Sequence, residues 1–228
     1  MTNKRLSDSL HTWNHIAKSF NHTRQHTWDF CNDFINTYTT DKICADLGCG
    51  NGRHLLPLAV KAKKAFGFDI SHNLLAITEK MLKQHQIKNA ELVQGDLVHL
   101  PFQSNIFDAI IYIAALHNIK QKKNRLQSLK EVNRVLNPGG KALISVWNRD
   151  QDRFKQKKFQ QQLKEPGDIL IYWRQHNLNI PRFYHLYQKQ ELRDDLEQAN
   201  FTIQTLKGVN ITSKKEFDNF YAIVEKAQ

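Results

Sequence analysis

The chain has no apolar run long enough to cross a bilayer. Its longest, residues 109–116, falls far short of the roughly 20 residues a membrane helix needs, so no membrane role is expected. The opening residues MTNKRLSDSLHTW hold no apolar stretch of the kind that forms a signal-peptide core. Cysteine is scarce. Cys31, Cys44 and Cys49 form an odd set without a C-x-x-C pair, which argues against a disulfide framework and a cysteine zinc site, and for a reducing compartment. A cytoplasmic location is the expectation. No internal repeat or long linker interrupts the 228 residues, a length that suits one domain with elaborations. Acidic residues are in deficit: Asp plus Glu number 22 against 33 Lys plus Arg, for a formal net charge of +11. That balance suits anionic partners such as RNA, DNA or phosphorylated ligands.

What is present is an alternation of helical and strand patterns. Within residues 1–40, Trp28, Cys31, Phe34, Ile35 and Tyr38 recur at helical spacing. Ile43-Cys44-Ala45-Asp46-Leu47 then reads as a short buried parallel strand running into glycine-rich sequence. Further strands are expected at 65–69, 90–94, 107–113 and 142–147, with helices over 73–84 and 121–136, the second stopped by Pro138-Gly139-Gly140. Such alternation predicts an α/β fold, a parallel sheet covered on both faces. Residues 149–188 break the rhythm. They are first basic (Arg149, Arg153, Lys155, Lys157, Lys158) and then aromatic (Tyr172, Trp173, Phe183, Tyr184, Tyr187), and read either as a substrate-facing lid or as a solvated connector. A helix near 190–199 and strands at 201–206 and 220–224 follow, the two strands expected as an antiparallel hairpin at the sheet edge. The organisation is a single domain: helical cap over 1–40, core over 41–148, insertion over 149–188, closing helix and strand pair over 189–228.

The strongest signal is Asp46-Leu47-Gly48-Cys49-Gly50-Asn51-Gly52 at the end of the first strand. Alternate glycines let the backbone turn sharply and approach a ligand, and in open α/β sheets ligands bind beyond the carboxyl ends of the strands. The second strand ends in Asp69, where a carboxylate can accept from ribose hydroxyls. The third is followed by Gly95-Asp96-Leu97, where a carboxylate can accept from an adenine amino group. A nicotinamide site would show G-x-G-x-x-G and receive a diphosphate. Here the spacing is G-x-G-x-G, preceded by an acid that favours a cationic ligand. S-adenosylmethionine (SAM) carries an ammonium, a sulfonium and no phosphate.

With the later Asn137-Pro138-Gly139-Gly140, this set resembles the class I SAM-dependent methyltransferases over residues 41–148. The resemblance implies a Rossmann-like sheet of seven strands, mostly parallel with the last antiparallel. SAM is then the cofactor, held by Asp46, Gly48, Gly50, Gly52, Asp69, Asp96 and Leu97, with S-adenosylhomocysteine as product and no metal. Narrower strings cover nearly the whole chain: Ile16-Ala17 through Phe20 to Thr23-Arg24 and Trp28; the glycine motif continued through Arg53; Gly67-Phe68-Asp69-Ile70-Ser71 to Leu74-Leu75; Gly95 through Pro101-Phe102; Val146-Trp147 to Gln151; and Arg182-Phe183-Tyr184-His185-Leu186-Tyr187 followed by Glu191-Leu192. These resemble the tRNA wobble-uridine carboxymethyl methyltransferases. That family forms a methyl ester on a carboxymethyl group of the wobble uridine and works with a small zinc-binding activator protein. The resemblance implies tRNA as substrate, such an activator as partner, and a monomer or heterodimer. The family's paired histidines after strand four read His117-Asn118 here, and a following basic pair reads Asn124-Arg125.

A carboxylate acceptor is already ionised at neutral pH, its reference pKa lying near 4. Methyl transfer to it needs orientation more than a base. Arg24, His117, Arg125 and Arg182 are the candidate catalytic groups, and Asn118, Asn148, Tyr184 and His185 the candidate substrate contacts. A hydroxyl acceptor would instead make His117 the natural base. Lys120, Lys122, Lys123 and Arg125, with the cluster from Arg149 to Lys158, are candidates for phosphate contacts. Tyr172, Trp173 and Tyr184 are candidates for base stacking. His11/His15 and His22/His26 have a spacing that can hold a metal on a helix, but no carboxylate or cysteine pattern accompanies them. A small-molecule carboxyl or hydroxyl methyltransferase and a non-catalytic SAM-binding subunit are the competing readings.

Overall fold

Strand β1 (Ile43–Leu47) turns Cys44 to one face and Ala45 and Leu47 to the other, and all three are fully buried. A strand buried on both faces needs helices above and below it. The computed structural model, which describes residues 2–155, 166–213 and 215–227, shows how they are supplied. β2 (Lys64–Asp69), β3 (Ala90–Gln94), β4 (Phe107–Ile113), β5 (Leu136–Trp147), β8 (Phe201–Val209) and β9 (Asn219–Lys226) complete a seven-stranded sheet of order β3-β2-β1-β4-β5-β9-β8. β1 to β5 pair in parallel, and β9 runs antiparallel to both β5 and β8. This is the expected class I methyltransferase sheet with its last strand reversed. The terminal strands form the expected antiparallel hairpin at the sheet edge, with β9 inserted between β5 and β8.

On one face α5 (Lys122–Val135) and α6 (Lys189–Gln198) bury Leu129, Val132, Val135, Leu192 and Leu196 against Ile110, Tyr112, Ala142 and Ile144. On the other, α2 (Asp29–Tyr38), α3 (Leu55–Lys61) and α4 (His72–Gln84) bury Phe34, Leu55, Leu58, Leu75 and Leu82 against Ala109, Ile111 and Leu143. Burying each large aliphatic side chain is worth about 1.5–3 kcal/mol, so the sheet is a rigid base for the loops at its carboxyl edge. No helix among the described residues is long and apolar enough to cross a membrane. α5 stops at Val135, before the proline. Residues 137–140 belong to β5, where the register slips between Phe107↔Leu136 and Ala109↔Lys141 and Gly139 takes φ +74°.

Two further elements close over the carboxyl edge. α1 (Thr2–Thr23) lies across α4, fastened by Asn14. Its Oδ1 accepts from Ser71 Oγ at 2.7 Å and from the Asn73 amide at 3.2 Å, while Ser71 caps α4 by accepting from Leu74 N–H. Within the insertion, β6 (Asp168–Trp173) and β7 (Ile180–His185) form a two-stranded antiparallel sheet. The sequence gives no sign of that element, because apolar residues occupy both faces of β6 and hide its period of two. Lys157 and Lys158, from the second basic cluster, lie outside the described residues.

Candidate active site

A cavity of about 620 Å³ opens at the carboxyl edge, between the loop after β1, α1, the turn after β4 and the β6–β7 hairpin. Gly48, Gly50 and Gly52 all have positive φ, at +75°, +57° and +82°. A Cβ on Gly48 would stand 2.4 Å from the Ala115 Cβ, so only glycine brings this loop against the end of β4. Asp69 ties the loop to β2. Its Oδ2 accepts from Gly50 N–H at 2.9 Å and its Oδ1 from Ser71 N–H at 2.8 Å. Asp69, Asp96 and Leu97 all line the cavity. Burial raises the Asp69 pKa, and the hydrogen bonds from Ser71 and Gly50 oppose that rise.

Asp46 and Gly52 stand just outside the lining. Gly52 packs on Thr78. Asp46 is 1% exposed, and its Oδ2 has no hydrogen-bond partner. Burial lifts its pKa to about 8; Asp69 adds to the rise and Arg53 opposes it. A buried carboxylate with an orphaned oxygen favours a cation nearby. The chemistry of the donor set therefore fits SAM: a carboxylate under the glycine loop suits an ammonium, the cavity-lining Asp69 carboxylate suits ribose hydroxyls, and half-buried Asp96 beside Leu97 suits an adenine.

The remaining wall is cationic and aromatic. Arg182, on β7, is 7% exposed. Its guanidinium lies 4.7 Å from the Trp173 ring centroid, 5.0 Å from Tyr184 and 6.0 Å from Trp13. It donates to the Tyr184 hydroxyl, and its Nε has no acceptor. Half-buried Arg24 stacks on Trp173 at 5.7 Å and Phe20 at 5.9 Å. Among the described residues neither arginine has a carboxylate within ion-pair distance. Burial lowers the Arg182 pKa; Tyr184 opposes this, while Arg24 and Arg153 add to it. Two guanidinium groups without a carboxylate partner among the described residues lie against one indole ring and line one cavity, an arrangement that suits an anion.

His117 sits in the short 3-10 turn after β4, 1% exposed, with its ring 5.4 Å from both Trp147 and Tyr184. Its Nδ1 accepts the Trp147 amide at 3.0 Å. Burial first, then His185 and Arg182, lower its pKa to about 3. The ring is therefore neutral, and its single proton is on Nε2. In that state the cavity-lining histidine can act only as a hydrogen-bond donor, since its Nδ1 lone pair is taken by the Trp147 amide. Asn118 also lines the cavity: its Nδ2 donates to Ala114 C=O and its buried Oδ1 has no partner.

Three expected site residues lie elsewhere. Arg125 is buried on the inner face of α5, donates to Ile119 C=O at 3.4 Å and stacks on Tyr187 at 5.8 Å. Asn148 spends its amide on Phe217 C=O and Asp150 N–H. His185 is held between Asp168 and Glu191, each at 2.7 Å. All three fasten the framework and stand outside the cavity. Nor do the lysines after β4 form one open patch. Lys120 pairs with Asp8 at 3.3 Å and Lys122 with Asp195 at 3.5 Å, so part of their charge is balanced. Tyr184 is a buried wall of the cavity, Trp173 is buried behind Arg182 and outside the lining, and Tyr172 is 44% exposed.

A further contributor carries no sequence signal of its role. Asn51, within the glycine loop, is buried, and its Nδ2 donates to Asn21 Oδ1 at 2.9 Å and Arg24 C=O at 2.8 Å. It splices the loop to the end of α1 and so fixes the backbone that carries Arg24. A pairing between residues so far apart in sequence leaves no local signal.

Comparison with known proteins agrees with this geometry. Residues 45–144 match the methyltransferase domain model. A protein named as a methyltransferase in Encephalitozoon cuniculi is 30% identical over 212 residues, covering 92% of this chain and 91% of that one. A tRNA (carboxymethyluridine(34)-5-O)-methyltransferase of Schizosaccharomyces pombe is 28% identical over 236 residues and covers 92% of each. A SAM-dependent methyltransferase of Methanosarcina mazei superposes with TM-score 0.75 at 22% identity, over 89% of this chain and 99% of that one. A Haloferax volcanii chain solved in complex with the Trm112 methyltransferase activator gives 0.67 at 14%, over 95% and 98%. At these identities the two structures show the fold. The chain belongs to the class I SAM-dependent methyltransferases.

Proposed function

We propose that the protein methylates the carboxymethyl group of a wobble uridine in tRNA to the methyl ester. The observation that carries this reading is the pairing of an unbalanced arginine subsite with a neutral histidine donor in one cavity. The 28% identity to the fission-yeast enzyme over nearly full length supports it. Asp46, Gly48, Gly50, Gly52, Asp69, Asp96 and Leu97 would hold the cofactor. SAM, when bound, supplies an electrophilic methyl group.

The chain's own part is to position the acceptor. Arg182 and Arg24 attract the carboxylate and keep it ionised, as nearby cations do. Charge-assisted bonds from a guanidinium also fix its plane. Neutral His117 adds a weaker donor, which orients an oxygen while drawing off less electron density than an imidazolium would. Asn118 Oδ1 is free to accept from the uracil ring, and Tyr184 holds Arg182 in place. The aromatic walls exclude water, which strengthens each polar contact. A hydroxyl acceptor fits poorly, since His117 has its Nδ1 lone pair committed to Trp147. The fold shared with the Haloferax chain supports a Trm112-type activator as partner, and a tRNA substrate supports a cytoplasmic site of action.

The test is transfer of labelled methyl from SAM to an anticodon stem–loop carrying 5-carboxymethyluridine, with a Trm112-type protein co-expressed. The expected product is a base-labile methyl ester. Transfer to a uridine hydroxyl or ring atom would overturn the assignment.

A further inference from the structure

The β6–β7 hairpin has two unlike faces. Its inner face pairs Ile169 with Tyr184 and Ile171 with Arg182, all buried. Its outer face pairs Leu170 with Phe183 and Tyr172 with Pro181. Leu170 and Tyr172 are 41% and 44% exposed, among the few large apolar side chains so open to solvent. Leu170, Phe183 and Pro181 line the cavity mouth, and Tyr172 lies outside it. The outer face is therefore a ramp leading out of the cavity. At its far end the Arg174 guanidinium stands 5.6 Å from the Tyr172 ring, with no carboxylate in ion-pair distance among the described residues.

The ramp is braced. Ser19 of α1 accepts from Trp173 Nε1 and shares a hydrogen bond with His176 Nδ1, each at 2.7 Å. The hairpin is thus tied at its turn to the helix that roofs the cavity. A pre-positioned apolar face with an exposed ring and an unpaired arginine matches a single-stranded nucleic acid, which presents a flat base and a phosphate on every residue. The chain's excess of +11 favours the same partner.

We infer that this outer face is a docking ramp for the RNA strand beside the target nucleotide. An unpaired neighbouring base stacks on Tyr172, and Arg174 meets its phosphate. The inference rests on the tRNA reading above and adds the surface that distinguishes tRNA from a free nucleoside.

The experiment compares wild type, Tyr172→Ala, Tyr172→Trp and Arg174→Ala, each with the activator. The substrate is the stem–loop carrying 5-carboxymethyluridine, and S-adenosylhomocysteine affinity serves as the control for folding. Tyr172→Ala should raise KM for the stem–loop roughly five- to a hundredfold, the range seen for lost base stacking, with kcat within about twofold. Tyr172→Trp should restore KM. Arg174→Ala should reduce the slope of log KM against log salt by about 0.7, one single-strand phosphate contact. An unchanged KM in Tyr172→Ala, or a failure of Tyr172→Trp to rescue it, overturns the ramp while leaving the tRNA reading intact. A wild-type chain that methylates no RNA but esterifies a small carboxylic acid overturns both.

Discussion

Arg182 offers the sharpest separation of function from stability. Replacing it with Met keeps the length of the side chain and removes its charge. The loss includes cation–π contact with Trp173, Tyr184 and Trp13, about 0.5–1 kcal/mol each, and the bond to the Tyr184 hydroxyl, about 1 kcal/mol. Against this stands relief from burying a cation that has no counter-ion and an unpartnered Nε, a penalty of several kcal/mol. The two sides nearly cancel, so unfolding free energy should move by no more than about 1 kcal/mol and Tm by about 4 °C or less. Transfer should suffer far more. A charge-assisted bond to the acceptor is worth about 1.5–3 kcal/mol, so kcat/KM should fall roughly 10- to 150-fold. Thermal melts and initial rates on the modified stem–loop measure the two effects together. A Tm drop beyond about 10 °C, or unchanged kcat/KM in the folded fraction, would show Arg182 to be a framework residue and refute the anion subsite. Arg125→Met should do the reverse. Arg125 lies buried near Glu191 and Asp195, so its loss should cost about 3–5 kcal/mol while the folded fraction keeps its kcat.

Other outcomes follow from the same contacts. With His117 neutral down to about pH 3, kcat should be flat between about pH 5.5 and 8; an acid limb near pH 6–7 would identify a general base instead. The same residue makes the fold acid-sensitive. The unfolded imidazole takes a proton below its ordinary 6.5 while the folded one resists to about 3, so stability should decline as pH falls through that window, as denaturant melts would register. His185 behaves oppositely. Burial depresses its pKa, but hydrogen bonds to Asp168 and Glu191 outweigh burial and raise it. Its contribution is complete below the unfolded value and lost as pH rises through the folded one, so His185→Gln should cost about 3 kcal/mol at pH 6 and progressively less as pH rises. Asn51→Ala removes both bonds that splice the glycine loop to α1. It should raise KM for the stem–loop about five- to tenfold, with S-adenosylhomocysteine affinity within about twofold; equal loss of both would mean that the loop itself had collapsed.

The sheet was legible in sequence because its strands are short apolar runs punctuated by glycine and acid, and β3 and β4 fall at 90–94 and 107–113 as read. The residues proposed for the cofactor were legible because a glycine turn and the acids at strand ends are local patterns. The acceptor side was less so. Arg125 shares the α5 face of Ser128, Leu129 and Val132, a spacing that marks it as buried, yet charge invited a surface reading. His185 and Asn148 have side chains suited to a substrate, and only tertiary contacts reveal that their polar atoms are already committed. The β6–β7 hairpin escaped notice because Ile169, Leu170, Ile171, Tyr172 and Trp173 are apolar on both faces, and the outer face makes sense only as a surface left open beside the cavity.

Whether the protein esterifies a wobble uridine is decided by mass spectrometry of tRNA nucleosides from cells with and without this gene. A uridine carboxymethyl ester should disappear from the deficient cells while its free acid accumulates, and the wild-type gene should restore the ester where Arg182→Met does not. Retention of that ester at normal levels in the deficient cells would contradict the tRNA assignment and redirect the same cavity to a small carboxylic acid.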